Sequence, residues 1–202
     1  LSKYKRIRIR NDDVLVHSSG FAGREFNRFK GFHEVICQDM EHFMHVPAIL
    51  ATEIQEFPEC VEFIKMETAA GRMFPEVHGW QHKDYAKLSA AEVTGELVLA
   101  KQFVQDTFKC YPTIWYSPHG AGADKHGAHL ADAALQAGLT LVTCANMILP
   151  ARIVNDVRAA RDGKITVEML ASKWAGKEIL RHWWEGVGAL NESIKFFKEN
   201  VK

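Results

Sequence analysis

No stretch of this 202-residue chain approaches the ~20 consecutive apolar residues of a membrane span, so a membrane partner is not expected. Neither sign of charge is in excess: 25 Lys and Arg balance 25 Asp and Glu. A nucleic-acid grip needs surplus cations on one face, which argues against that class of partner. The run Lys3, Lys5, Arg6, Arg8 and Arg10 is basic, but it alternates with apolar residues and reads as an edge or buried strand. The four cysteines (Cys37, Cys60, Cys110, Cys144) include no C-x-x-C pair, which argues against zinc ribbons and thioredoxin-like exchange. Free thiols suit a reducing compartment, although the count leaves two disulfides open. The opening Leu-Ser-Lys-Tyr-Lys-Arg lacks the apolar segment of a secretory signal, which favours the cytoplasm without fixing the compartment. Repeats, low-complexity tracts and linkers are absent too. The expectation is one domain over residues 1–202, of a size that buries a core unaided.

What is present is an alternation of short apolar runs and helical patterns. Ile7 and Ile9 suggest a strand ending at Asn11-Asp12-Asp13, Val46–Leu50 a second, and Phe74–Val77 a third that delivers the chain to His78. Thr113–Tyr116, Leu139–Cys144 and Ile165–Leu170 read as further strands. Pro58 opens a helix that closes near Gly71. Ser89 and Glu92 have the spacing of a capping box, ahead of one apolar stripe: Val93, Leu97, Ala100, Val104 and Phe108. His126–Ala137 is helical with Gly138 at its end, and a last helix carries Leu190, Ile194, Phe197 and Val201. The pattern predicts an α/β fold, an irregular (β/α) barrel of about seven strands.

Three polar clusters follow predicted strands: Asp12/Asp13, His78/His82 and Ser117–Gly120. In βα barrels the strand C-termini form the active-site rim, so the three can converge. His78-Gly-Trp-Gln-His82 sets two imidazoles four residues apart, on one side if that segment is a helical turn. Asp13, His78 and His82 then make an Asp/His/His set for a divalent metal, zinc above all, with one position open for chemistry. Where an H-E-x-x-H protease keeps its basic Glu, this chain has Gly79; Asp12, beside the ligand Asp13, is the available base. Each motif alone fits solvated carboxylates or turn-capping histidines equally well. His17, His33, His42, His45, His126 and His129 are read as ordinary surface or core histidines.

The stretch His78-Gly-Trp-Gln-His-Lys-Asp-Tyr-Ala-Lys-Leu-Ser89 closely resembles the second motif of the polysaccharide deacetylases, carbohydrate esterase family four. Asn11-Asp12-Asp13 resembles the first motif, which implies Asp12 as catalytic base and Asp13 as metal ligand. Tyr116-Ser-Pro-His-Gly120 is similar to the third, which implies an oxyanion-binding main-chain N–H at His119. Ile179-Leu-Arg-His182 is similar to the fifth, which implies His182 as general acid. The departures are specific. Val14 stands where the family has Gly. Tyr116 stands where an Arg tethers the catalytic Asp. His119 replaces a Tyr, and Lys173-Trp174 lacks the Asp that elsewhere tunes the acid.

The resemblance implies a metal-dependent hydrolase removing N-acetyl groups from a carbohydrate, or cleaving a related small amide. Trp80, Tyr116, Pro118 and Trp184 are the candidate substrate contacts, and the alternative for each aromatic is a place in the core. Two rivals stay open: a degenerate member of the fold that binds glycan or metal without turnover, and a 2-His-1-carboxylate iron oxygenase, which usually builds on an all-β frame. Nothing in the sequence sets the oligomeric state.

Overall fold

The structure, a computed structural model, describes residues 6–12, 14, 22–122, 128–143, 147–148, 150–174, 178–182 and 188–200. Its strands are β1 (Ile7–Asp12), β2 (Phe43–Leu50), β3 (Glu76–Gly79), β4 (Ile114–Tyr116), β5 (Thr140–Val142), a two-residue β6 (Met147–Ile148) and β7 (Glu178–His182). They form one sheet in the order β5-β4-β3-β2-β1-β7-β6, with every neighbouring pair parallel. The helices are α1 (Ala22–Cys37), α2 (Ala51–Ile54), α3 (Pro58–Ala69), α4 (Ala90–Phe108), α5 (Ala128–Gln136), α6 (Pro150–Arg161), α7 (Val167–Trp174) and α8 (Gly188–Asn200). Among the described helices none is long and apolar enough to cross a membrane.

Strand residues alternate faces, so residue parity sorts the sheet. Odd-numbered residues face the helices. Ile7, Ile9 and Ile179 join Phe32, Ile36, Leu170, Trp174, Leu190 and Ile194 in one core. Ile49, Val77 and Trp115 join Cys60, Ile64, Val93, Leu97 and Leu130 in another. Even-numbered residues line the opposite face, where Val46, Ala48, Ile114 and Tyr116 pack together. This inner face also carries the charged positions Arg8, Arg10, Asp12, Glu76 and His78.

The sheet curls over its inner face. Two strands separate β1 from β4, which would place them ~14 Å apart if flat. Yet the guanidinium carbon of Arg10 lies 4.1 Å from the centroid of the Tyr116 ring. The expected α/β class and barrel-like curl are present. Among the described residues no ladder joins β5 to β6, so these two strands are edges.

Helix α4 shows how local rules produce this frame. The Ser89 hydroxyl accepts from the Glu92 N–H and the Glu92 carboxylate accepts from the Ser89 N–H, which completes the capping box. Its buried residues are the five of the expected stripe. At the end of α5, Gly138 takes a positive φ of 68° while the Leu139 N–H reaches back to the Ala134 carbonyl at 2.8 Å. One element differs from expectation. Residues 165–170, read as a strand, lead into α7, because Thr166 accepts the Met169 N–H on its hydroxyl at 3.1 Å and starts a helix. Leu170 and Trp174, four apart, are then buried together.

The stripe generates a paired test. Leu97→Ala removes a fully buried side chain and is expected to cost about 3 kcal/mol. Leu99→Ala, two positions away and 52% exposed, is expected to change stability by less than about 0.5 kcal/mol. Denaturant unfolding of both variants checks the pair.

Candidate functional site

The inner face and the C-terminal strand ends meet at Asp12. Arg10, two residues earlier on the same face of β1, donates from Nε to Asp12 Oδ1 at 2.5 Å and from a terminal nitrogen to Oδ2. Both side chains are buried, Arg10 to 2% exposure. A guanidinium without water needs a bidentate acceptor, and Asp12 is one. The Arg10 plane also covers the fully buried Tyr116 ring, a cation–π contact that strengthens where water is excluded. In register, Asp12 pairs with His182, so the ends of β1 and β7 present these residues side by side.

Tyr116 connects this group to the histidines. Its carbonyl accepts from His78 Nδ1 at 2.6 Å. That bond places the ring proton on Nδ1 and makes Nε2 the lone-pair nitrogen, the tautomer that a metal-ligating histidine carries. The His78 and His82 ring centroids lie 5.8 Å apart, and His119 meets His82 edge-on at 4.5 Å. The expected helical turn is not what brings them together. His78 belongs to β3 and His82 to the bend that follows, so the chain doubles back instead of winding.

That bend is tied from several sides. The Trp80 N–H donates to the Tyr85 hydroxyl at 2.9 Å, the Trp80 carbonyl accepts from Thr52, and the His82 N–H donates to Glu53 Oε1 at 2.9 Å. Burial pushes the Tyr85 phenol above its ordinary pKa, so it stays protonated. Asp84 caps the following turn by accepting the Ala86 N–H, and its hydrogen bond with Lys87 holds its carboxyl below the usual range. Gly79 is where Tyr85 passes closest: a Cβ there would meet its hydroxyl at 2.7 Å.

The Ser117–Gly120 segment leaves β4 through one tight turn in which His119 adopts a left-handed backbone, φ 57° and ψ 13°. Left-handed geometry at a residue with a Cβ is strained, and such strain collects at functional sites. Pro118 is buried at the start of this turn, Trp80 is partly exposed, and Tyr116 lies wholly beneath Arg10. Lys173-Trp174 is not at the strand ends. Trp174 stacks on Phe197 in the helix-side core, and both Trp174 Nε1 and Lys173 Nζ donate to Asp156. Asp13 and Trp184 lie outside the described residues, as does the side chain of His182. Arg10 is the residue that the motif reading passed over. Its position two before Asp12 on one strand was the available signal.

Residues 46–142 match the sequence model of the polysaccharide deacetylase family. Over that stretch, just under half of its length, the chain is similar to the polysaccharide deacetylases. The matched stretch holds His78, His82 and His119, and the deacetylase fold extends beyond it in solved structures. A family 4 carbohydrate esterase from Streptomyces lividans, in complex with acetate, superposes with a TM-score of 0.65 at 16% identity, over 98% of this chain and 90% of that one. A family 4 pseudoenzyme from Bacillus anthracis gives 0.63 at 15%, over 98% of this chain and 62% of that one. A mutant of it with restored enzymatic activity gives 0.62 at 16%, over 98% and 64%. At these identities the likeness is one of fold. Among curated proteins none matches the chain in sequence.

The contact at Gly79 gives a test of the bend. Gly79→Ala forces a methyl against the Tyr85 hydroxyl and is expected to lower the melting temperature, with Tyr85 or the bend displaced. Gly95→Ala, in helix α4 with open space around it, is expected to stabilise by about 0.5–1 kcal/mol. Thermal unfolding of both variants separates a steric requirement for glycine from tolerance of it.

Proposed function

We propose that this chain is a metal-dependent hydrolase that removes N-acetyl groups from a carbohydrate. The carrying observation is the pairing of Asp12 with His182 across β1 and β7, with Asp12 gripped by Arg10. In this reading Asp13, His78 and His82 hold the divalent ion, zinc by the chemistry of the donor set, and the His78 tautomer suits that task. When bound, the ion polarises the acetyl carbonyl and makes the attacking water more acidic.

The chain's own residues carry the proton traffic. Asp12 accepts a proton from the water as its oxygen bonds to the acetyl carbon. The main-chain N–H of His119 donates to the oxygen that becomes negative. His182 protonates the nitrogen as the C–N bond breaks, which leaves acetate and a free amine. Arg10 replaces the tether that the family takes from its third motif. The guanidinium comes from β1 instead of β4, and Tyr116, in the position of the usual Arg, is the surface on which it rests. Trp80, Pro118 and Trp184 are the proposed sugar contacts, and Tyr116 acts through Arg10.

A second reading, binding without turnover, is favoured by the fold shared with a pseudoenzyme and by Trp174 and its partner Asp156 lying in the helix-side core, away from the strand ends. Acetate release from N-acetylated oligosaccharides separates the two. On the proposed mechanism Asp12→Asn retains the metal and loses ~10²–10⁴-fold in rate. Asp13→Asn loses rate because it loses the metal. Arg10→Gln is expected to lower kcat by ~10–100-fold with KM and metal content unchanged, and Arg10→Lys to restore part of it. An Asp12→Asn variant that hydrolyses at the wild-type rate removes Asp12 as the base.

A further inference from the structure

Near the start of β2, away from the C-terminal strand ends, a second group of ligating side chains converges between β2, α1 and α3. His33 and Cys37, four apart on α1, face Glu67 on α3. Their ligand atoms lie within 4.8 Å of one another. His33 Nε2 is 2.8 Å from Glu67 Oε2 and 3.1 Å from Cys37 Sγ. His33 and Glu67 are buried, and Cys37 is partly exposed. His45 on β2 places its Nδ1 3.0 Å from His33 Nδ1.

Hydrogen bonding alone serves this arrangement poorly. A thiol–imidazole–carboxylate relay would use both ring nitrogens, one for the thiol and one for the carboxylate. Here both partners approach the same nitrogen, which has at most one proton to give. Three donors of different kinds facing one point is the arrangement of a metal site. Supporting contacts surround it: Arg72 donates to both oxygens of Glu67 at 2.6 and 2.8 Å, and His45 Nδ1 can accept the His33 Nδ1 proton. Such outer contacts orient ligands and select the tautomer.

We propose that His33 Nε2, Cys37 Sγ and Glu67 Oε2 bind a divalent ion of the zinc class, with water in the fourth position on the exposed side of Cys37. One nitrogen, one sulfur and one oxygen suit a borderline-soft ion with bonds of about 2.0–2.3 Å, reached by rotation of the Cys37 and Glu67 side chains. Binding as a thiolate, Cys37 would give up its proton to solvent on uptake of the ion. The ion would join α1 to α3 below the sheet. His45 stands five residues before the end of β2, about 16 Å along the strand, so this site is separate from the one proposed at the strand ends.

Cobalt substitution distinguishes the two sites, because the Asp/His/His set contains no sulfur. Titration of the metal-free chain with Co2+ alone is expected to produce thiolate-to-cobalt charge-transfer absorption in the near ultraviolet. The band should persist in the His78→Ala/His82→Ala variant and vanish in Cys37→Ser, with one ion fewer bound per chain. No band in the wild type, or a band that survives Cys37→Ser, overturns the site. So does loss of the band in a folded His78→Ala/His82→Ala chain. If Cys37→Ser does not fold, alkylation of wild-type Cys37, read by peptide mass mapping, decides. Suppression by saturating Zn2+ supports the site, and unchanged alkylation overturns it.

Discussion

A guanidinium shut away from water must be met by a carboxylate, and in this chain Arg10 is met by Asp12. Much of the inner face follows from that demand. Arg10 is long enough to reach Tyr116 only because the sheet curls, and the curl brings β4 over β1. Tyr116 in turn fixes the tautomer of His78 through its carbonyl. Carboxylate, guanidinium and phenol ring thus form one connected series, and the backbone of the same tyrosine holds the imidazole. Removal of Arg10 would strand a buried carboxylate and free the face of Tyr116 together.

The features legible in the sequence are those decided within a few residues. The capping box at Ser89 and the stripe from Val93 to Phe108 depend on spacing along one helix, and both appear as read. The H-x-x-x-H pair was legible as a pair, but its geometry was not. A turn of helix and a strand followed by a bend can both bring residues four apart together, and hydrogen bonds given by Thr52 and accepted by Glu53 and Tyr85 impose the second. Residues 165–170 alternate like a strand over a short window, and the hydroxyl of Thr166 outweighs that pattern.

Contacts between distant segments were out of reach. Arg10 lay in plain view two residues from Asp12, yet its role depends on a ring more than a hundred residues away. His33 and His45 read as surface or core histidines and are buried, but their contacts with Glu67 and with each other lay beyond sequence spacing. The departure at Tyr116 has the same character: the guanidinium that meets Asp12 belongs to Arg10 on β1.

The register of β7 on β1 has a further consequence. Strand β7 is bordered by the six-residue β1 on one side and by the two-residue β6 on the other, so its position along the sheet is set almost entirely by β1. A slip of two residues would keep every side chain on its own face and leave the pattern of apolar and polar positions intact. It would also carry His182 ~7 Å along the strand, away from Asp12. What guards against that slip is the fit of Ile179 among Leu170, Leu190 and Ile194 on the far side of the sheet. The spacing of the two strand-end residues is therefore adjustable from behind, by side chains on the helix-facing side of the sheet.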